Sequence, residues 1–210
     1  MKVLELFSGT ESISKQFRNR GHETYTIDNN PVFDSLTSWQ ANILNVTSDD
    51  IIERFGKPDL IWASIPCTWM SVASIGRNWD KIDGVLKPKS EGALLSYKLI
   101  DKVMELVNDL QPMYWFMENP RGAMRKTPQV NNLPMYTVTY CQYGDTRMKP
   151  TDLWTNHLNP KFKPPCKNGM PCHVAAPRGS KTGTQGMKNA IDRSIIPSDL
   201  CRHIVDICEG

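Results

Sequence analysis

Cys67 follows Pro66 at the end of a short apolar run, residues 59–64 ("DLIWAS"). A thiol in that place can be a small core filler, a metal ligand or disulfide half, or a nucleophile. An unperturbed thiol has a pKa of about 8.5 and is only a few per cent thiolate at neutral pH. A nucleophilic Cys67 therefore needs a cation or a helix start beside it. Arg147 and Lys149, on a strand-flanking turn ("RMK"), are the candidate cations. Glu118 and Asn119 end a second apolar run, "MYWFMEN". Burial after so many apolar and aromatic residues raises a carboxyl's pKa and lets it donate a proton near neutrality. The plainer alternative for Glu118 is a turn carboxylate hydrogen-bonded to backbone amides.

Other features carry weaker signals. "FSGTES" (7–12) places a glycine after an apolar stretch. It reads as a tight turn, or as a turn that lets a ligand approach the backbone. It lacks the G-x-G-x-x-G spacing of dinucleotide folds, which argues against a nicotinamide cofactor. Asp28 lies 19 positions after Gly9. Nucleotide-binding α/β folds place an acidic residue for ribose hydroxyls at about that distance. The cysteines are at 67, 141, 166, 172, 201 and 208. No secretory signal accompanies them, so free thiols are expected rather than disulfides. Cys166 and Cys172-His173, with Cys141 or His157, form a conceivable zinc set. The five residues between the two cysteines exceed the usual spacing, and adjacent Cys and His seldom share an ion. No metal is therefore expected, and the segment reads as a turn-rich loop. Trp62, Trp69, Trp79, Trp115 and Trp154 read mostly as core, with Trp69 and Trp79 also placed to stack on a base.

These residues need elements to position them. "KVLELF", "ETYTID", "DLIWAS" and "MYWFMEN" read as strands, joined by helices over 13–21, 48–56 and 90–112. The last of these, with Leu94, Leu95, Leu99, Val103, Leu106, Val107 and Leu110 at helical spacing, is the strongest helix signal. Gly21 closes the first helix and Ser48 is the expected N-cap of the second. Residues 136–144 and 151–156 read as further strands, 71–90 as a polar loop, and 197–208 as a closing helix. Alternating strands and helices predict an α/β fold, a doubly wound, mostly parallel sheet. In such sheets ligands gather at the carboxyl ends of the strands. Gly9, Asp28, Cys67 and Glu118-Asn119 all fall there.

The bulk numbers agree with one soluble globular unit: 210 residues, 40% hydrophobic, 22% charged. We read 1–156 as an α/β core, 157–190 as a small basic insertion, and 191–210 as a helix returning to the core. The net charge of +3 is mild, but "KFKPPCK" (161–167) and "PRGSKTGTQGMK" (177–188) make the last third basic. That suits phosphate contact, or a solvated surface. The apolar run at the start is too short for a secretory signal, and no run reaches membrane length. A cytoplasmic protein is expected.

The order of motifs resembles the cytosine-C5 DNA methyltransferase family. "LELFSGTESISKQF" is similar to its first motif, "SIPCTWMS" to its Pro-Cys loop and "FMENP" to its Glu-Asn motif. "QYGDTRMKPTDLWTN" looks like its basic strand motif, and "AIDRSIIPSDLCRHIVDIC" like its last. The resemblance runs nearly end to end. It departs at Thr10, Glu11 and Ser12, where paired glycines are usual, and at Pro120, where valine is usual. Gln-x-Arg-x-Arg positions fall on Arg147, Lys149 and Thr151. The large target-recognition insertion of longer members is missing, as in short, phage-encoded enzymes.

The resemblance implies a Rossmann-like methyltransferase fold and S-adenosyl-L-methionine as cofactor. It implies that Cys67 adds to C6 of cytosine, Glu118 donates to N3, Asn119 holds the loop, and Arg147 or Lys149 binds O2. Phe7, Ser8, Gly9 and Thr10 would border the cofactor, with Asp28 and Asn29 at its ribose, Asn42 and Ile43 at its adenine, and Ser194 from the last motif. The substrate implied is cytosine flipped from duplex DNA, and a separate specificity partner would supply sequence choice. Loop 71–90, with Arg77, Lys81, Lys87 and Lys89, would close over the base. The rival readings are the same chemistry on RNA or single strands, and a non-catalytic binding subunit.

Overall fold

A computed structural model describes residues 1–176, 187 and 189–210. The basic run 177–188 thus lies almost wholly outside the described residues. In chain order the elements are β1 (Lys2–Leu6), α1 (Ser12–Asn19), β2 (Glu23–Asp28), β3 (Trp39–Gln40), α2 (Ser48–Phe55) and β4 (Leu60–Ser64). There follow α3 (Ile75–Asn78), β5 (Trp79–Ile82), β6 (Val85–Pro88), α4 (Glu91–Leu110), β7 (Tyr114–Pro120), β8 (Met135–Thr139), β9 (Pro150–Thr155), α5 (Ala190–Ser194) and α6 (Ser198–Glu209).

Seven strands form one sheet in the order β3-β2-β1-β4-β7-β9-β8. The pairs from β3 through β7 are parallel, and β9 runs antiparallel to both its neighbours. A parallel sheet is covered on both faces, which is why its strands are nearly continuous apolar runs. Val3, Trp62 and Phe116 face α1 and α6, meeting Ile13, Phe17, Leu200, Ile204 and Val205. Leu4, Leu6, Ile61 and Met117 share the opposite layer with Ile51 of α2 and Ile100, Val103 and Leu106 of α4. Each fully buried aliphatic or Phe side chain contributes roughly 1.5–3 kcal/mol, so these two layers dominate stability. Phe116→Ala, at the centre of one, would cost about 3–5 kcal/mol.

Strand order reverses between β1 and β4, which pair Leu6 with Ala63. That crevice at the strands' carboxyl ends is where ligands bind in open α/β sheets. Both neighbours end in candidate site residues. β1 runs into Phe7-Ser8-Gly9 and β4 into Pro66-Cys67.

Four local expectations need correction. Residues 71–90 are not a plain loop: they hold α3 and an antiparallel β5–β6 hairpin pairing Trp79 with Pro88. Trp79 is 2% exposed and donates to the Trp69 carbonyl at 2.7 Å, so burial and a satisfied indole fold this segment onto the core. The strand expected over 136–144 ends at Thr139, and Tyr140–Tyr143 is a 3-10 turn closed by Gly144 at φ 81°. The N-cap of α2 is Thr47, which shares a capping box with Asp50, rather than Ser48. On α4 the buried stripe runs through Ala93, Ser96, Leu99, Ile100 and Val103, leaving Leu94 and Leu95 at the surface.

Candidate active site

The loop carrying Cys67 is held from both ends. Asn119 Nδ2 donates to the Ile65 carbonyl at 2.7 Å. The Met70 carbonyl accepts from the Ala123 amide at 2.7 Å. Within the loop, the Met70 amide donates to the Cys67 carbonyl at 3.0 Å. Gly122 is obligatory on packing grounds, because a Cβ there would stand 2.2 Å from the Met70 oxygen. These contacts follow from register: Ser64 pairs with Glu118, so the ends of β4 and β7 lie side by side. Cys67 itself is exposed, and an incoming ring can reach it.

Glu118 is buried, and the Tyr140 hydroxyl donates to its Oε1 at 3.1 Å. Burial raises the Glu118 pKa, opposed by the Lys149 charge and the Tyr140 hydrogen bond. Desolvation on the protein side and the Glu118 charge raise the Cys67 thiol, and Lys149 and Arg193 pull it back. Burial lowers the Lys149 ammonium, and Glu118 and Cys67 hold it up. Lys149 therefore links the thiol and the carboxyl electrostatically: Cys67 and Lys149 each feel the other two groups, and Glu118 feels Lys149. Lys149 Nζ sits 4.5 Å from the centre of the Tyr140 ring and donates to the Arg193 carbonyl at 2.8 Å. Its backbone φ of 27° is unusual for a side-chain-bearing residue, a strain typical of functional positions.

Arg147 stands behind this set: its guanidinium carbon lies 5.6 Å from the centre of the Tyr140 ring and its charge lowers the Lys149 ammonium, but its hydrogen bonds go elsewhere. Its Nε donates to both Asp145 oxygens, at 3.0 and 2.9 Å. Its terminal nitrogens donate to the carbonyls of Asp192, Arg193 and Ile195. The guanidinium ties the turn before β9 to the end of α5. Of the two cations that the sequence offered, Lys149 faces the thiol and the carboxyl.

Across the crevice, Asp28 ends β2. Its Oδ2 accepts from the Gly9 amide at 2.9 Å and its Oδ1 from the Asn30 amide at 2.8 Å, leaving lone pairs on both oxygens for ligand hydroxyls. Phe7 and Gly9 both have positive φ, 55° and 47°, so the turn folds sharply back over the sheet edge. A Cβ on Gly9 would meet only the Phe33 ring, at 3.8 Å, and its positive φ is the firmer reason for glycine. Ser8 Oγ is buried without a partner among the described residues. Ile43 is buried, while Asn29 and Asn42 are exposed, and Asn42 Oδ1 caps the following 3-10 turn by accepting from Leu44. Thr10 Oγ1 lies 3.1 Å from Ser12 Oγ, and exposed Ser194 donates to the Ile191 carbonyl.

Three contributors escaped the sequence reading. Tyr140 looked like an ordinary strand residue. Glu5, buried in β1, accepts from the amides of Ile13 and Ser14 at 3.3 and 2.8 Å. It thereby fills the start of α1, where phosphate-binding folds seat their anion; a carboxylate in an otherwise apolar strand was the available signal. Glu11, with φ 55°, is also buried and accepts from Thr26 Oγ1 at 3.1 Å. It occupies a place where paired glycines are usual.

A family model described as C-5 cytosine-specific DNA methylase matches residues 1–136. The chain belongs to that family. A protein described as "Probable DNA (cytosine-5)-methyltransferase" from Frog virus 3 (isolate Goorha) is 31% identical, covering 99% of this chain and all of that one. The fold is shared with S. pombe Dnmt2 methyltransferase at a TM-score of 0.52 and 14% identity, over 78% of this chain. The chain spans about half the length of that solved structure.

Methyltransferases of this family draw on S-adenosyl-L-methionine, and the residues beside the switch point fit it. The fit rests on the partnerless Ser8 hydroxyl, the open lone pairs of Asp28 and a turn without a phosphate seat.

Among the described residues no helix is long and apolar enough to cross a membrane.

Proposed function

We propose that this methylase transfers a methyl group to C5 of a cytosine in DNA, through a covalent adduct with Cys67. The observation that carries the assignment is the juxtaposition of the Cys67 loop with Glu118 and Asn119 at the carboxyl ends of β4 and β7. There Ser64 pairs with Glu118 and Asn119 bonds the Ile65 carbonyl, with the Lys149 charge acting on both thiol and carboxyl. Cytosine C5 is too weak a nucleophile to be methylated directly. Addition of the Cys67 thiolate to C6 makes it enamine-like, splitting one difficult step into two.

S-adenosyl-L-methionine, when bound, supplies the methyl group on its sulfonium. Ser8, Gly9 and Asp28 would hold it on the β1–β2 side of the crevice, with Phe7, Thr10, Asn29, Asn42, Ile43 and Ser194 bordering it. On the other side, Lys149 favours the Cys67 thiolate and offers its ammonium to the base O2. Glu118, whose pKa burial raises, hydrogen-bonds or protonates N3 so that charge entering the ring is neutralised. Tyr140 orients that carboxyl, and Asn119 fixes the loop that presents the thiol. Loss of the C5 proton to solvent base, return of any N3 proton to Glu118 and expulsion of the thiolate restore the ring. A cytosine within a duplex must leave the stack to reach Cys67, and the exposed thiol permits that approach.

The test is Cys67→Ser with labelled donor and duplex DNA, beside duplex DNA containing 5-fluorocytosine. The intact enzyme should form a covalent adduct at Cys67 that survives denaturation. Undiminished methyl transfer by Cys67→Ser would end the proposal.

A further inference from the structure

A second cluster of reactive side chains lies apart from Cys67. Cys141 comes from the 3-10 turn after β8, and Cys166, Cys172 and His173 from the segment following β9. The three sulfurs and the imidazole Nδ1 all lie within 4.8 Å of one another. Individual separations are 3.0 Å for Cys166–Cys172, 3.7 Å for Cys172–Cys141, 3.5 Å for Cys166–His173 and 3.7 Å for Cys172–His173. Ligands about 2.3 Å from a tetrahedral zinc stand about 3.8 Å apart along each edge. The cluster is already close to that size, and three of these four separations fall within a few tenths of an ångström of it.

We propose that Cys141, Cys166, Cys172 and His173 bind a structural zinc ion. Three thiolates and one imidazole are a soft donor set that selects zinc over magnesium or calcium. Four protein ligands leave no open position, which is the pattern of a structural rather than a catalytic site. The backbone is built for convergence. Gly169, at φ 85°, turns the chain within 167–170 so that Cys172 returns upon Cys166. The Cys166 amide donates to Thr139 Oγ1 at 2.8 Å, and the Val174 amide to the Thr146 carbonyl at 2.9 Å. Gln142 Nε2 donates to Cys172 Sγ at 3.6 Å, an outer contact of the kind that steadies a thiolate ligand. Sequence spacing argued against the site because five residues separate Cys166 from Cys172, more than is usual, and because neighbouring Cys172 and His173 seldom share one ion.

The ion ties the segment 166–174 to the turn that begins with Tyr140, next to the Glu118 carboxyl. It stands outside the methyl-transfer chemistry, so its test is independent of that assignment. The full chain, purified from zinc-supplemented cells, should carry one zinc per molecule. Cobalt exchanged into it should show the visible bands of a tetrahedral ion with sulfur-to-metal charge transfer. Cys166→Ser, Cys172→Ser and His173→Ala should each lose the metal, while Cys208→Ala keeps it. Should those variants fail to fold, the cobalt spectrum of the unmodified chain decides alone. Folded protein that takes up neither zinc nor cobalt would overturn the proposal. So would peptide mapping that finds Cys166 and Cys172 joined as a disulfide, with two hydrogens lost, in protein handled under reductant.

Discussion

Asn119 Nδ2 donates to the carbonyl of Ile65 at 2.7 Å, binding the end of β7 to the residue before Pro66-Cys67. Both groups are buried, so the bond is made away from competing water. Asn119→Ala leaves the Ile65 carbonyl without that donor, at a cost of about 1–3 kcal/mol. It also frees the thiol to wander, and a displacement near 1 Å can cost about 100-fold in rate. We expect Asn119→Ala to form the 5-fluorocytosine adduct about 100-fold more slowly, with thermal unfolding lowered by a few degrees. An adduct rate within twofold of the intact enzyme would show that the loop does not depend on this bond.

Lys149 pulls the Cys67 pKa down, against the upward push of burial and Glu118. Lys149→Gln removes that pull, so the thiolate fraction falls at every pH below the new pKa. The pH at which adduct formation is half-maximal should move upward, and the rate at neutral pH should fall by about 100-fold once the lost contact to the base is included. The same substitution removes a cation beside Glu118, whose carboxyl then keeps its proton to higher pH. The acid limb and the alkaline limb should therefore both shift in the alkaline direction. Stopped reactions across a pH series check this, and an unshifted profile would assign Lys149 to structure alone.

Arg147→Gln should behave in the opposite way. Arg147 is buried, and its guanidinium joins Asp145 to the carbonyls ending α5. Removing one partner of a buried ion pair costs about 3–5 kcal/mol, because the other charge is left without its counterpart. We expect a large loss of thermal stability. Below the new unfolding temperature, the pH profile of adduct formation should stay where the intact enzyme has it. A shifted profile would place Arg147 in the electrostatic set after all.

The contrast between these two cations shows where sequence reading stops. Parallel strands declare themselves as apolar runs, and polar residues at their ends mark the rim, so β1, β2, β4, β7 and the positions of Asp28, Cys67 and Glu118 were legible. Arg147 and Lys149 are two residues apart and chemically alike. Only the positive φ at Lys149 and the return of α5 decide which one turns inward. Two-residue β3, with Trp39 and Gln40, is too short to show a period, and the β5–β6 hairpin hides in a polar stretch because only Trp79 and Leu86 reach the core. Cys141 joins Cys166, Cys172 and His173 only through tertiary folding, which no local spacing encodes.

Glu5 offers a test of the fold beneath the site. Its carboxyl is buried beside the start of α1, and desolvation lifts its pKa to about 7 despite hydrogen bonds from the Ser14 and Ile13 amides. The ordinary value is near 4.5, so the folded state holds this proton more tightly than the unfolded chain does. The associated stability is fully present below about pH 4.5 and is lost as pH rises through about 7. A shift of that size corresponds to about 3 kcal/mol. Glu5→Gln keeps an acceptor for one amide and cannot ionise, so it should flatten the fall in unfolding temperature between those two pH values. Thermal melts of both proteins across that range measure the difference. Parallel curves would mean that the Glu5 charge is neutralised in the fold by some means other than holding its proton.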